Sequence, residues 1–181
     1  MKKLITILLC VMFLAGCGLQ EMDNTPTQKA EALLGTYQSL DETILSDLEK
    51  EVKENDEYTE EQKENYKELM KDQYRNLQYD IREEKVDGNQ ATVDVQIEVR
   101  DYGKVIQNAD KYLKDNPDLF EDEKGNFDPI RYMTYQIKQM QQNNEHVKYT
   151  LHLKAHKEKK EWVLDDLSKE DIQKIQGIYH K

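Results

Sequence analysis

Hydrophobic positions recur at helical spacing through the first part of the chain and at alternate positions through two later stretches. Pro26 follows Asn24-Thr25 as a helix start, because proline suits the first turn. Ala30, Leu33, Leu34, Tyr37 and Leu40 then form a stripe. Asp41 restarts the helix, and Ile44, Leu45, Leu48 and Val52 continue it. Thr59-Glu60-Glu61-Gln62 reads as a capping box; it opens a helix with Tyr66, Leu69, Met70, Gln73, Tyr74 and Leu77 on one face. The period then switches to two. Tyr79 and Ile81 alternate with polar residues, Asp87-Gly88-Asn89 makes a tight turn, and Ala91, Val93, Val95, Ile97 and Val99 share one face. A ragged edge or bulge is expected near Glu83 and Glu84, where the alternation weakens.

A helical insertion follows. Val105, Ile106, Ala109, Tyr112 and Leu113 form one stripe, which Asn116-Pro117 ends. Asp128-Pro129 caps a second helix carrying Ile130, Met133, Ile137 and Met140. Val147, Tyr149, Leu151, Leu153 and Ala155 alternate with polar residues. The charged turn Lys157 to Lys160 leads back into Trp162-Val163-Leu164. Ser168 caps a closing helix with Ile172, Ile175 and Ile178. Helices set against antiparallel hairpins give an α+β fold. N-terminal helices pack on a curved, mostly four-stranded antiparallel sheet, built from two hairpins with the helical insertion between them. The face carrying Asp94, Glu98, Lys148 and Lys154 is left to water.

Ahead of this body, Lys2 and Lys3 precede an apolar stretch from Leu4 to Phe13, interrupted by Thr6. It is shorter than the roughly 20 residues of a spanning helix and has the proportions of a secretory signal. It runs into Leu14-Ala15-Gly16-Cys17, which resembles the lipobox of bacterial lipoproteins. The resemblance implies cleavage before Cys17 and a diacylglyceryl group on its sulfur. It implies a palmitate-type lipid anchor in the cell membrane, with the body on the extracytoplasmic face. Two acyl chains are the threshold for stable anchoring. The expected division is a signal peptide at 1–16, lipidated Cys17 with a polar tether at 17–25, and one α+β domain at 26–181. Cys10 falls in the removed segment, so the mature chain has no disulfide to form.

The element order resembles the cone-shaped nuclear transport factor two-like fold, in which N-terminal helices pack into the hollow of a curved sheet. Asn24-Thr25-Pro26, Tyr37-Gln38-Ser39-Leu40-Asp41 and Trp162-Val163-Leu164-Asp165-Asp166-Leu167 look like phrases of small lipoproteins of low-GC Gram-positive bacteria. That likeness implies an address and a fold, not an activity. Enzymes of the cone fold carry an Asp/His pair at the mouth, which no alternation here supplies.

The charge of −11 argues against a nucleic-acid partner, since phosphate contacts need clustered Lys and Arg. Loss of Lys2 and Lys3 on cleavage makes the body more acidic still, so it stands off an anionic bilayer rather than lying on it. His152 and His156 on one strand face would be roughly 13 Å apart, too far to share a metal ion. In the acidic loop from Glu121 to Asp128, aligning Gly125 with the turn of a calcium loop puts Phe120, Lys124 and Arg131 at ligand positions, and all three fail. Asp165 and Asp166, adjacent on a strand, point to opposite faces and cannot share a proton. No cysteine or serine nucleophile motif and no glycine-rich phosphate loop is present. The expectation is therefore no enzyme, no metal and no cofactor.

Tyrosine is the unusual residue, eleven against three Phe and one Trp. Tyr37, Tyr66, Tyr74, Tyr102, Tyr112, Tyr132 and Tyr135 lie on or beside apolar stripes, where they pack with the hydroxyl reaching water. Alternatively they line a half-polar pocket between helices and sheet, with Tyr102 and Tyr135 as its candidate lining. Its ligand would be a small amphipathic molecule or a peptide. These readings converge on a membrane-anchored binding or accessory module. A cone-fold enzyme using Tyr and carboxylate groups, and a purely structural envelope protein, are the alternatives.

Overall fold

The computed structural model describes residues 24–54 and 58–180. Cys17 and its surrounding motif lie outside them. Three helices come first: α1 (Pro26–Ser39), α2 (Glu42–Lys53) and α3 (Glu60–Arg75). The strands β1 (Gln78–Asp87) and β2 (Gln90–Arg100) form a hairpin. The insertion holds α4 (Tyr102–Asp115), a 3-10 turn over Pro117–Phe120 and α5 (Pro129–Gln142). The strands β3 (His146–Glu158) and β4 (Glu161–Leu164) form the second hairpin, and α6 (Lys169–Gln176) follows. The sheet is antiparallel in the order β1-β2-β3-β4, so the fold is α+β as its alternation requires.

Local chemistry sets the boundaries. Thr25 accepts from the Gln28 amide at 3.2 Å while Gln28 accepts from the Thr25 amide at 3.1 Å, a reciprocal cap on α1. Thr59 and Gln62 repeat it on α3 at 3.2 and 2.9 Å. All three prolines occupy a first-turn position: Pro26, Pro117 and Pro129. Gly88 supplies the positive φ of the β1–β2 turn. The β1 register shifts between Ile81 and Glu83, where the alternation weakens.

Alternation decides what is buried. On β2, Val93, Val95 and Ile97 are wholly buried, and Leu151 beside them on β3 is too. Leu34 of α1, Met70 of α3 and Ile175 of α6 meet this face and fill the space between helices and sheet. On the opposite face Glu98 pairs with Lys148 at 3.2 Å and Asp94 with His152 at 2.7 Å. The closing helix departs from its expected stripe. It ends at Gln176, because Gly177 takes a left-handed conformation, so Ile178 packs on the core from beyond the helix. Ile172 is left half-exposed on the outer side.

Candidate functional site

The two tyrosines singled out from the sequence sit in different surroundings. Tyr102 is the first residue of α4, capped by Asp101, whose carboxylate accepts from the Lys104 amide at 2.9 Å. Its side chain is fully buried, with the hydroxyl beside the Arg100 guanidinium. Burial pushes its pKa up, and the nearby Arg100 guanidinium opposes the shift. Tyr135, on α5, stacks on Tyr112 at 5.2 Å and meets the edge of Phe120. It borders a shallow recess of about 350 Å³ with Val105, Asn108, Gln139 and Asn143, to which Tyr102 does not contribute. Tyr102→Phe removes a buried hydroxyl beside the Arg100 guanidinium while conserving the ring, and should change stability by about 1 kcal/mol or less. A urea midpoint close to the parent's would agree; a loss of several kcal/mol would mean that the hydroxyl is a strong structural bond.

A larger open cavity, about 720 Å³, lies elsewhere, where the start of β3 meets α4, α6 and the segment after α6. A buried knot of amides ties together the ends of the elements that border it. Gln73 of α3 accepts from the Arg100 amide at 3.1 Å and donates to the carbonyls of Arg100 and Gln176 at 3.1 and 3.2 Å. It thereby ties the end of β2 to the end of α6. Gln176 in turn donates to Glu51 at 2.8 Å. The Gly103 amide donates to the Gly177 carbonyl at 2.7 Å, holding the following segment against α4. Tyr149 of β3 then donates to the Tyr179 carbonyl at 2.8 Å, and the two rings meet edge to face at 5.6 Å. Burial, with Asp101 and Tyr179 adding to it, pushes the Tyr149 hydroxyl up to about 12.

Lys104, Lys148 and Lys174 reach the cavity from three elements. Each is engaged: Lys104 with Glu145 at 2.6 Å, Lys148 with Glu98, and Lys174 with Glu170 at 2.8 Å. Lys174 is nine-tenths buried and also donates to the Thr150 carbonyl at 3.2 Å. That bond identifies the cavity's long wall as an edge of the sheet. Strand β3 has thirteen residues but β4 only four, paired from Ala155 to Glu158. The Asp165 amide extends the pairing by one bond to the Lys154 carbonyl at 2.9 Å. Among the described residues, no strand covers β3 from His146 to His152 on this side.

Elsewhere the structure joins residues that the sequence left apart. His156 meets Asp165 at 2.6 Å and Glu158 at 3.3 Å, which raise its pKa, Asp165 foremost. This exposed pair forms across the β3–β4 hairpin, a contact that the length of the charged turn could have suggested. In the acidic loop, Asp122 accepts from the amides of Lys124 and Asn126 at 2.8 and 2.9 Å, and these bonds hold its carboxyl below the usual range. It acts there as a loop staple. No group of three or more His, Cys, Asp or Glu arranged to hold a metal occurs among the described residues, nor does a helix long and apolar enough to cross a membrane. Compared with family models, curated proteins and solved structures, the chain matches none.

Proposed function

We propose that this protein is a lipid-anchored binding module on the extracytoplasmic face of the cell membrane, and that the cavity along β3 is its ligand site. The observation that carries the binding half is the cavity's wall: an open stretch of sheet edge flanked by lysines and the Tyr149–Tyr179 pair. The Leu14-Ala15-Gly16-Cys17 motif supports the address.

Geometry relates the two halves. Asn24 donates to the Lys160 carbonyl at 3.3 Å and accepts from the Trp162 amide at 2.8 Å, so the body begins beside the β3–β4 turn. Thr150, at the cavity, is eight residues from Glu158 along β3, or roughly 26 Å. The cavity thus lies toward the other end of β3 from the point where the described residues begin. Cys17→Ser should release the protein from membranes with the folded body intact, because anchoring resides in acyl chains on one sulfur. Fractionation of cells that finds the mutant in the membrane pellet at mature size would contradict the anchor.

A further inference from the structure

We propose that the cavity takes an extended acidic polypeptide, which adds as a fifth strand to the open edge of β3; this rests on the cavity being the binding site. The backbone register carries the first step. Tyr149, Leu151 and Leu153 lie opposite Ile97, Val95 and Val93, and the amide of Asp101 and carbonyl of Glu145 continue that bonded series. Odd-numbered residues of β3 thus bond to β2. Even-numbered residues turn both backbone groups to the other edge, as the carbonyls of Thr150 and Lys154 show by their partners. Lys148 and His152 then keep a donor and an acceptor, and Thr150 a donor, on the open edge, with Lys148 and Thr150 at the cavity. Groups repeating at every second residue are what an incoming strand requires.

The side chains choose the strand. From His146 to Lys154 the outward row of β3 reads His146, Lys148, Thr150, His152, Lys154, and its one acid, Glu158, lies at the far end beside β4. Strand β2 shows what satisfies it, placing Glu98 against Lys148 and Asp94 against His152. A strand on the other edge meets the same row from its second side. The complementary pattern is β2's own: acids on the outward positions and apolar residues between them, set against Tyr149 and Tyr179. A second copy of this chain is the wrong occupant. Antiparallel pairing centred on Thr150 would oppose Lys148 to His152 and His146 to Lys154, setting no acid against either lysine. Lysines on an exposed edge are also the usual defence against self-pairing. To seat a strand, Lys174 must yield the Thr150 carbonyl to a peptide amide, keeping its pair with Glu170.

The test titrates the full chain, isotope-labelled in detergent micelles, with two synthetic peptides. One is Thr-Val-Asp-Val-Gln-Ile-Glu-Val, the β2 sequence from Thr92 to Val99. The other replaces both acids with lysine. The acidic peptide should bind at least about tenfold more tightly, because attractive cross-strand pairs become repulsive ones. It should shift the amides of Lys148, Thr150 and His152 and slow their exchange. Equal or reversed affinities with the same amides shifted would overturn the acidic strand while leaving the cavity a binding site. Shifts from neither peptide along β3, or confined to other elements, would overturn the strand and the site together.

Discussion

Val95→Asp is expected to cost about 4 kcal/mol or more, enough to unfold much of the protein at room temperature. Val95 is wholly buried in the middle of β2, opposite Leu151 on β3 and Ile81 on β1. Its neighbours on the inward face are Val93 and Ile97, also sealed from water. A carboxylate there loses its hydration among apolar neighbours. Three residues along, on the other face, Glu98→Lys should cost about 1 kcal/mol or less. It exchanges a surface pair with Lys148 for a screened repulsion. Denaturant midpoints measure both. Equal midpoints would mean that the strand is shifted by one residue, exchanging its faces.

Gly177→Ala is expected to cost about 3 kcal/mol or more, for two reasons that add. At φ +73° a side chain adopts a left-handed backbone, which costs about 1 kcal/mol or more for any residue but glycine. In addition, a Cβ at this position would stand 2.2 Å from the Arg100 carbonyl oxygen and 2.3 Å from the Gln73 side-chain nitrogen. The carbonyl belongs to β2, and the amide is the one that ties β2 to α6, so neither moves without undoing the knot. Gly88→Ala provides the comparison, with φ +59° and open space around the added methyl. It should cost about 1 kcal/mol. Thermal melts of the two variants separate conformational strain from the clash; equal losses would contradict the packing at Gly177.

Much of this fold can be read from local pattern. The alternation from Ala91 to Val99 marks an inward row, and burial of every member follows. Thr59-Glu60-Glu61-Gln62 starts a helix because a threonine and a glutamine three apart can satisfy each other's amides without any distant partner. What resists reading is chemistry that depends on distant partners. Gln73 falls on the apolar stripe by its spacing, yet its partners are Arg100 and Gln176, 27 and 103 residues away. Tyr102 follows a strand where a hydroxyl could reach water, and only the arrival of the segment after α6 over Gly103 makes that position tight. The cavity is a product of unequal strands. A long alternation from Val147 to Ala155 followed by a short Trp162-Val163-Leu164 already implies an uncovered edge. The elements that wall it, α4 and α6, are placed by tertiary contacts alone.

Amide hydrogen exchange along β3 tests most directly that this edge is open. The amides of Tyr149, Leu151 and Leu153, bonded to β2, should exchange slowly, at rates set by opening of the core. Those of Lys148, Thr150 and His152, on the open edge, should exchange far faster within the same strand. Alternating protection from Lys148 to Leu153 is the predicted result. Uniform slow exchange across these six amides would show that the edge is already paired or covered, and would contradict the account.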